Sequence, residues 1–390
     1  MNESLPLSVI LNELGENREH YFNAVSPAIA QSSNFCYPSV SSMRNALQKE
    51  FENPFYTRGY NPTVGILRQK LATLEGAEDA LVCGSGSAAV SVAVIGNLKS
   101  GDHVICVQKP YSWTYKLLDV LLARYGVETT FIDGSSISHF EQAKRPNTRM
   151  VFIESPNSMT FELQDIRAVA AFAKENGYIS IIDNSYSSPL FQQPHVMGID
   201  LVVHSATKYL NGHSDVVAGA ICGSREMIQR LFASDWMTLG PAISPHDAWL
   251  LMRGLRTLDI RANRSADTAE FILPVLEKHP KLSRVIWPFS DQHPQNELAR
   301  KQMKRCAGMF SLVINTDSAA GVERFCDSLK HFLIACSWGG YESLVFPVCG
   351  LASTPSYDNP LMPWNLVRVY VGLEDPQLLL EDLLQALDQV

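Results

Sequence analysis

The chain has no C-x-x-C pair, no basic run, no internal repeat, no low-complexity tract and no long apolar stretch. Each absence removes a class of function. No hydrophobic run approaches the ~20 residues that a transmembrane helix needs, so no membrane role is expected. A net charge of -8 over 390 residues leaves no basic footprint for nucleic acid. An anionic small molecule stays open, because one pocket can collect positive charge within an acidic protein. The cysteines are scattered: Cys36, Cys83, Cys106, Cys222, Cys306, Cys326, Cys336 and Cys349. The first residues, MNESLPLSVILNELGENREHYF, carry acids and lack the basic n-region of a secretion signal. Reduced thiols in a cytoplasmic protein are therefore expected. What is present is an ordinary globular composition, 46% hydrophobic and 18% charged, on a chain long enough for two or three packed units.

From about residue 60 the sequence alternates helical and strand-like segments. Gly65–Gly76 reads as a helix through Leu67, Leu71 and Leu74, and the charge-poor Ser87–Leu98 reads as a buried one. The runs HVICV (103–107), ETTFI (128–132), RMVFIES (149–155), ISIIDN (179–184) and LVVHSAT (201–207) read as strands, with helical patterns at Tyr115–Tyr125 and Asp165–Asn176 between them. Continuous apolar strands alternating with helices predict an α/β fold, a mostly parallel sheet covered on both faces. Ligands then sit at the carboxyl ends of the strands. A long helical stretch, Asp247–Lys278, leads to strand-like SRVIWP, GMFSLVIN and LVRVYVGL and to a terminal helix from Pro376 to Val390. Polar segments at Ser290–Glu297 and Ser353–Asn359 read as loops. The organisation expected is an N-terminal arm (1–59), a large domain (60–246), and a linker helix with a smaller C-terminal α+β domain (247–390).

The most informative stretch is IIDNSYSSPLFQQPHVMGIDLVVHSATKYLNGHSD (181–215). Asp183 ends one buried strand and Lys208 follows the next, so an acid and an amine at neighbouring strand ends face one site. Pyridoxal phosphate (PLP) needs both: a lysine amine for the Schiff base, and a carboxylate that keeps the pyridine nitrogen protonated. Ser205 and Thr207 offer hydroxyls to a phosphate. Most lysines simply face solvent, but this one follows LVVHSAT, where a solvated lysine is less expected. A metal site from His204, His213 and Asp215 has no recognised ligand spacing, so none is expected. The loop CGSGSAAVS (83–91) formally matches a dinucleotide fingerprint through Gly84, Gly86 and Ala89, which makes an NAD-dependent dehydrogenase the rival reading. That fingerprint requires an acid at the end of the second strand. Asp102 instead precedes its strand. What survives is a helix N-terminus suited to a phosphate.

Several blocks resemble the trans-sulfuration, or Cys/Met-metabolism, PLP enzymes: YTRGYNPT (56–63), LEGAEDALVCGSGSAAVS, HSATKYLNGHSD, RGLRTL (253–258) and VRVYVGLED (367–375). They occur in order from about residue 50 to the end. The resemblance implies PLP fold type I (aspartate-aminotransferase-like) and a homotetramer of two catalytic dimers. It implies Lys208 as the cofactor lysine, Asp183 at the pyridine nitrogen, and Tyr111 stacked on the ring. Gly86, Ser87, Ser205 and Thr207 would hold the phosphate. Tyr56 and Arg58 would enter the neighbouring subunit's site, Arg58 reaching the phosphate. Arg368 would grip the substrate carboxylate, with Ser337 and Trp338 lining the substrate side.

The same blocks bear on the reaction. CSWGGYESL (336–344) places Cys336 where γ-synthases and γ-lyases of the cystathionine branch usually carry Glu, and SWGGYESL resembles bacterial cystathionine β-lyases. ESPNSMTFELQDI (154–166) resembles the β-lyase E-S-P-G-S form, with Asn157 in place of the glycine. YTRGYNPT leans toward the γ-type members. The expectation is α,β-elimination of L-cystathionine to homocysteine, pyruvate and ammonia, with Lys208 as base and Tyr111 and Tyr56 as catalytic tyrosines. The alternatives are cystathionine γ-synthase, cystathionine γ-lyase or methionine γ-lyase chemistry and, from another class, a PLP-binding regulator with little turnover.

Overall fold

The computed structural model describes residues 5–352, 354 and 361–390, and two sheets organise them. The larger contains β1 (Asp79–Cys83), β2 (His103–Val107), β3 (Glu128–Ile132), β4 (Thr148–Glu154), β5 (Ile179–Asp183), β6 (Leu201–His204) and β7 (Gly219–Gly223). Its order is β1-β7-β6-β5-β4-β2-β3. Strands β3, β2, β4, β5 and β6 are parallel, and β7 runs antiparallel to both β6 and β1. Helix Gly86–Ile95 covers one face, where Val90, Ala93 and Val94 join Met150, Phe152, Ile181 and Val203 in one cluster. Helix Ile166–Asn176 covers the other, against Val151, Ile153, Ile182 and Val202. Burial on both faces explains why these strands read as unbroken apolar runs. The sequence assigned LVVHSAT wholly to a strand, but β6 stops at His204 and Ser205–Thr207 leave the sheet as a turn.

The smaller sheet contains β8 (Leu282–Ile286), β9 (Met309–Ile314), β10 (Phe332–Ile334), β11 (Ser343–Pro347) and β12 (Leu366–Tyr370), in the order β10-β11-β12-β9-β8. Only β10–β11 is parallel. Strand β12 lies at its centre and carries Arg368 between the buried Val367 and Val369. The terminal helix is Pro376–Leu387, capped by Asp375, whose carboxylate accepts from the Gln377 and Leu378 N–H groups.

The stretch read as one helix over 247–278 is two, Pro245–Leu255 and Leu258–Leu276. Arg261 accounts for the break. Its guanidinium donates to the Gly254 carbonyl (2.8 Å) and to Thr257 Oγ1 (3.0 Å), satisfying groups that a continuous helix would occupy. It also donates to the Tyr209 carbonyl (3.0 Å), tying the helix pair to the loop just after Lys208. Tyr115–Tyr125 is likewise not one regular helix. An α-helical turn at Ser112–Lys116 passes through a π-helical turn, Leu117–Leu121, into a 3-10 turn, Leu122–Tyr125. The loop expected at 290–297 ends where helix Asn296–Gln302 begins, and the loop expected at 353–359 lies outside the described residues except for Thr354. Near the N-terminus, the buried Glu16 receives Lys70 Nζ and Arg256, each at 3.2 Å, and so fastens its segment to two helices.

Candidate active site

Strands β4 and β5 end side by side, with Glu154 in register with Asp183. Strand β6 runs into the turn that carries Ser205, Thr207 and Lys208. These ends meet the N-terminus of helix Gly86–Ile95 around a pocket of about 210 Å³. Gly86, Ser87, Tyr111, Glu154, Ser158, Asp183, Ser205, Thr207, Lys208 and Trp338 all line it. The sheet thus gathers in space groups that are more than a hundred residues apart in sequence.

Lys208 Nζ donates to Ser337 Oγ (2.6 Å) and lies 4.2 Å from the centroid of the Trp338 ring. Burial, and then the Arg368 charge, push its pKa down to about 8. A neutral amine is therefore available near physiological pH. Burial raises the pKa of Asp183, opposed by hydrogen bonds from Ser185 and by His204 and Lys208. Burial and then the Asp183 charge raise the pKa of Glu154, opposed by the hydrogen bonds it accepts from the Tyr111 and Ser158 N–H groups.

At the helix end, a Cβ on Gly86 would stand 2.8 Å from the Ser205 Cβ, so any other residue would fill the space between helix and lysine turn. The Ser205 N–H donates to Ser185 Oγ (2.6 Å), and Thr207 Oγ1 accepts from the Ala218 N–H (3.0 Å). The open space, the free N–H groups of a ten-residue helix and the adjoining hydroxyls of Ser87, Ser205 and Thr207 suit a phosphate.

Arg368 enters from the smaller sheet. It is buried, and burial pushes its pKa down to about 10. Its guanidinium donates to the Ser158 and Ser337 carbonyls, each at 3.3 Å, and lies 4.8 Å from the Trp338 ring centroid. It forms no ion pair among the described residues. A buried cation without an acid is costly unless a carboxylate arrives to meet it. Ser337 sits between the two cations, its hydroxyl on Lys208 and its carbonyl on Arg368, with φ at 100°. That backbone conformation costs on the order of 1–3 kcal/mol and persists only where its surroundings enforce it. Gly339 (φ 82°) lets the same loop lie against the lysine turn, since a Cβ there would meet the Tyr209 nitrogen at 2.5 Å.

Four residues assigned to the site do not line this pocket: Ser337 and Arg368 adjoin it through Lys208 and Trp338, while Tyr56 and Arg58 lie away from it. Tyr56 is half exposed, and the Arg58 guanidinium lies 5.6 Å from its ring centroid, while Arg58 lines a different cleft with Phe51 and Trp236. The His204, His213 and Asp215 set does not converge. His204 pairs with Glu75 (2.8 Å), His213 with the Asn211 carbonyl, and Asp215 with the Asn211 amide. Asp102, the acid weighed for a dinucleotide, accepts from the Lys99 N–H (2.7 Å) in its own turn. Sequence reasoning missed Glu154 and Ser158. Glu154 stands at a strand end just as Asp183 does, so the rule that directs attention to strand ends would have found it.

A lysine and an aspartate at neighbouring strand ends, facing a phosphate-sized gap at a helix N-terminus on a mostly parallel sheet, define a protein of PLP fold type I. Residues 9–388 match the family described as Cys/Met metabolism PLP-dependent enzyme, and the chain belongs to it. It is 39% identical over 340 residues to a cystathionine gamma-lyase of Bacillus subtilis, covering 86% of this chain and 89% of that one. It is 37% identical over 379 residues to an L-methionine gamma-lyase of Pseudomonas deceptionensis, covering 96% and 95%. Among solved structures it superposes on metB from Corynebacterium glutamicum with a TM-score of 0.91 at 34% identity, covering 99% and 98%. The protein is PLP-dependent, of a class whose relatives cleave carbon–sulfur bonds.

Proposed function

We propose that the protein is a carbon–sulfur lyase that performs α,β-elimination on L-cystathionine, releasing homocysteine, pyruvate and ammonia. The observation that carries the amino-acid reading is Arg368, a buried guanidinium with no ion pair among the described residues, beside Lys208 and Trp338. Its planar fork suits an α-carboxylate. PLP, when bound, supplies an electron sink for the charge left at the substrate Cα. Lys208 holds the cofactor and then, as a free neutral amine, takes the Cα proton. Its pKa near 8 serves that role. Ser337 Oγ orients the amine. The Cβ–S bond breaks with its electron pair on sulfur, Lys208 or a tyrosine, Tyr111 or Tyr56, returns a proton to the leaving thiolate, and the released aminoacrylate takes up water, its C–N bond breaking to give pyruvate and ammonia. Asp183 serves the pyridine nitrogen, Tyr111 the ring face, and Gly86, Ser87, Ser205 and Thr207 the phosphate. Tyr56 and Arg58 complete the site of a neighbouring subunit in a homotetramer. All eight cysteines are unpaired, which supports a reducing, cytoplasmic setting, and no helix among the described residues is long and apolar enough to cross a membrane.

The resemblance of the SWGGYESL block to bacterial cystathionine β-lyases supports β-elimination, and its Ser337 and Trp338 lie at the Lys208 amine. A second reading, γ-elimination, is favoured by the names of the relatives. Product analysis on L-cystathionine decides. Pyruvate with homocysteine supports the proposal, oxobutyrate with cysteine replaces it by γ-elimination, and no turnover of either L-cystathionine or L-methionine by PLP-loaded protein leaves a binding protein.

A further inference from the structure

Glu154 is fully enclosed at the end of β4, and none of the chemistry above uses it. Its two carboxylate oxygens reach opposite walls of the pocket. Oε2 accepts from the Tyr111 N–H at 2.6 Å, and Oε1 accepts from the Ser158 N–H at 3.0 Å. Tyr111 stands just beyond β2, on the wall assigned to the cofactor ring. Ser158 belongs to the turn beyond β4, and its carbonyl receives Arg368. That turn is itself fixed by Asn157, whose Oδ1 accepts from the N–H groups of Met159 (3.0 Å), Thr160 (2.8 Å) and Phe161 (3.1 Å). One continuous chain of contacts therefore runs from Tyr111 through Glu154 and Ser158 to Arg368.

A carboxylate placed here stands beside Asp183 in a buried site, which is an unfavourable place for a second acid. An apolar side chain would fill the space without that repulsion. What a carboxylate adds is two acceptors pointing to two diverging backbone donors. A glutamine supplies one acceptor and sets its own N–H groups against the second donor.

We propose that Glu154 is the positioning residue that sets the span between the Tyr111 wall and the Arg368 grip. The proposal rests on reading this pocket as the cofactor and substrate site. Glu154 acts through the backbone N–H groups of Tyr111 and Ser158. A relative displacement of the walls by about 1 Å costs on the order of 100-fold in rate, because the reacting atoms leave their attack geometry.

The test uses full-length holoenzyme loaded with PLP to the wild-type ratio, in the variants Glu154→Ala and Glu154→Gln, with Arg368→Ala alongside. Three quantities are measured: kcat and KM separately on L-cystathionine and L-methionine, the visible-region circular dichroism of bound PLP, and thermal unfolding of the apoprotein. The dichroism reports how the ring is held, and loss of stability alone does not move it in loaded protein. Glu154→Ala is expected to lose on the order of 100-fold in kcat/KM, with KM raised and the dichroic band altered. Glu154→Gln, which keeps the length and one acceptor, is expected to fall between Ala and wild type on each readout. Wild-type kcat/KM and a wild-type band in the loaded variants overturn the proposal, whatever their melting temperatures. If Glu154→Ala does not fold, Glu154→Gln decides by the same criteria. If Arg368→Ala keeps a wild-type KM, the substrate reading of the pocket has failed instead. The dichroic band of the Glu154 variants then decides alone, altered for a positioning role and unchanged against it.

Discussion

The two halves of the assigned site are built differently. Lys208, Asp183 and Tyr111 line one pocket within one chain, on strand ends and loops held by buried contacts, and Arg368 adjoins it through Trp338 and the Ser158 carbonyl. Tyr56 and Arg58 lie outside that pocket, half exposed, on a segment attached by few backbone bonds such as Phe35 to Phe55 and Thr57 to Ser33. The Arg58 guanidinium makes no ion pair among the described residues. The parallel sheet and its loops gather the first set within one chain and leave the second outside it, which is the pattern that the proposed sharing of sites between subunits calls for.

The largest expected effect breaks the first half. Lys208→Ala should fold, and its kcat should fall by at least ~10⁴-fold, the upper end of what a positioned acid–base group contributes. No neighbour can replace the amine, since its partners here are a serine hydroxyl and a tryptophan ring. Steady-state assay of PLP-loaded protein checks this, and near-normal turnover would remove Lys208 from the mechanism.

Next in size, Arg368→Met should raise KM roughly 30-fold or more, because one partner of a buried charge pair is lost. The same change should stabilise the apoprotein, since the guanidinium is buried there with no ion pair among the described residues. Calorimetry of the apoprotein and a KM measurement read the two effects separately. A destabilised apoprotein would mean that Arg368 is structural.

The second half is tested by mixing. Arg58→Ala should weaken PLP binding and Tyr56→Phe should lower turnover. Co-expressed Lys208→Ala and Arg58→Ala subunits should then form one site with both lesions and one with neither. Activity above either parent in the isolated mixed dimer supports sharing. No recovery in a verified heterodimer would place the whole site within one chain.

The smallest effect is a shift in pH. Burial and Arg368 lower the Lys208 pKa to about 8, so its neutral, reactive fraction grows as pH rises through about 8 rather than through the ordinary lysine range. The rate at which apoprotein captures PLP should rise with pH and level off above that point. In Arg368→Met one of the two lowering causes is gone, so the midpoint should move upward. Stopped-flow absorbance measures both, and an unshifted midpoint would show that Arg368 does not act on the amine.

Much of this was legible in the sequence, for reasons that differ by element. Strands β2 and β3 carry the ends read from their β-branched runs. Strands β1, β7, β10 and β11 were not read. DALVC and GAICG carry one β-branched residue each where HVICV and ETTFI carry three, and β10 has three residues. The break between Leu255 and Leu258 depends on Arg261 reaching back to Gly254, a tertiary contact that periodicity does not encode. Asp183 and Lys208 were found because strand ends point to sites. The same rule reaches Glu154, but not its contacts with the Tyr111 and Ser158 N–H groups, 43 residues before it and four after, which only the fold brings together. Asn157 was read only as a replaced glycine, yet it organises the turn whose carbonyl holds Arg368.

The account depends most on Lys208 being the residue that carries PLP in this pocket. Borohydride reduction of the purified holoprotein followed by peptide mapping tests it directly. The account predicts one labelled peptide, containing HSATKYL, with the cofactor fixed to Lys208. Label on any other lysine, or none after PLP is supplied, would contradict it.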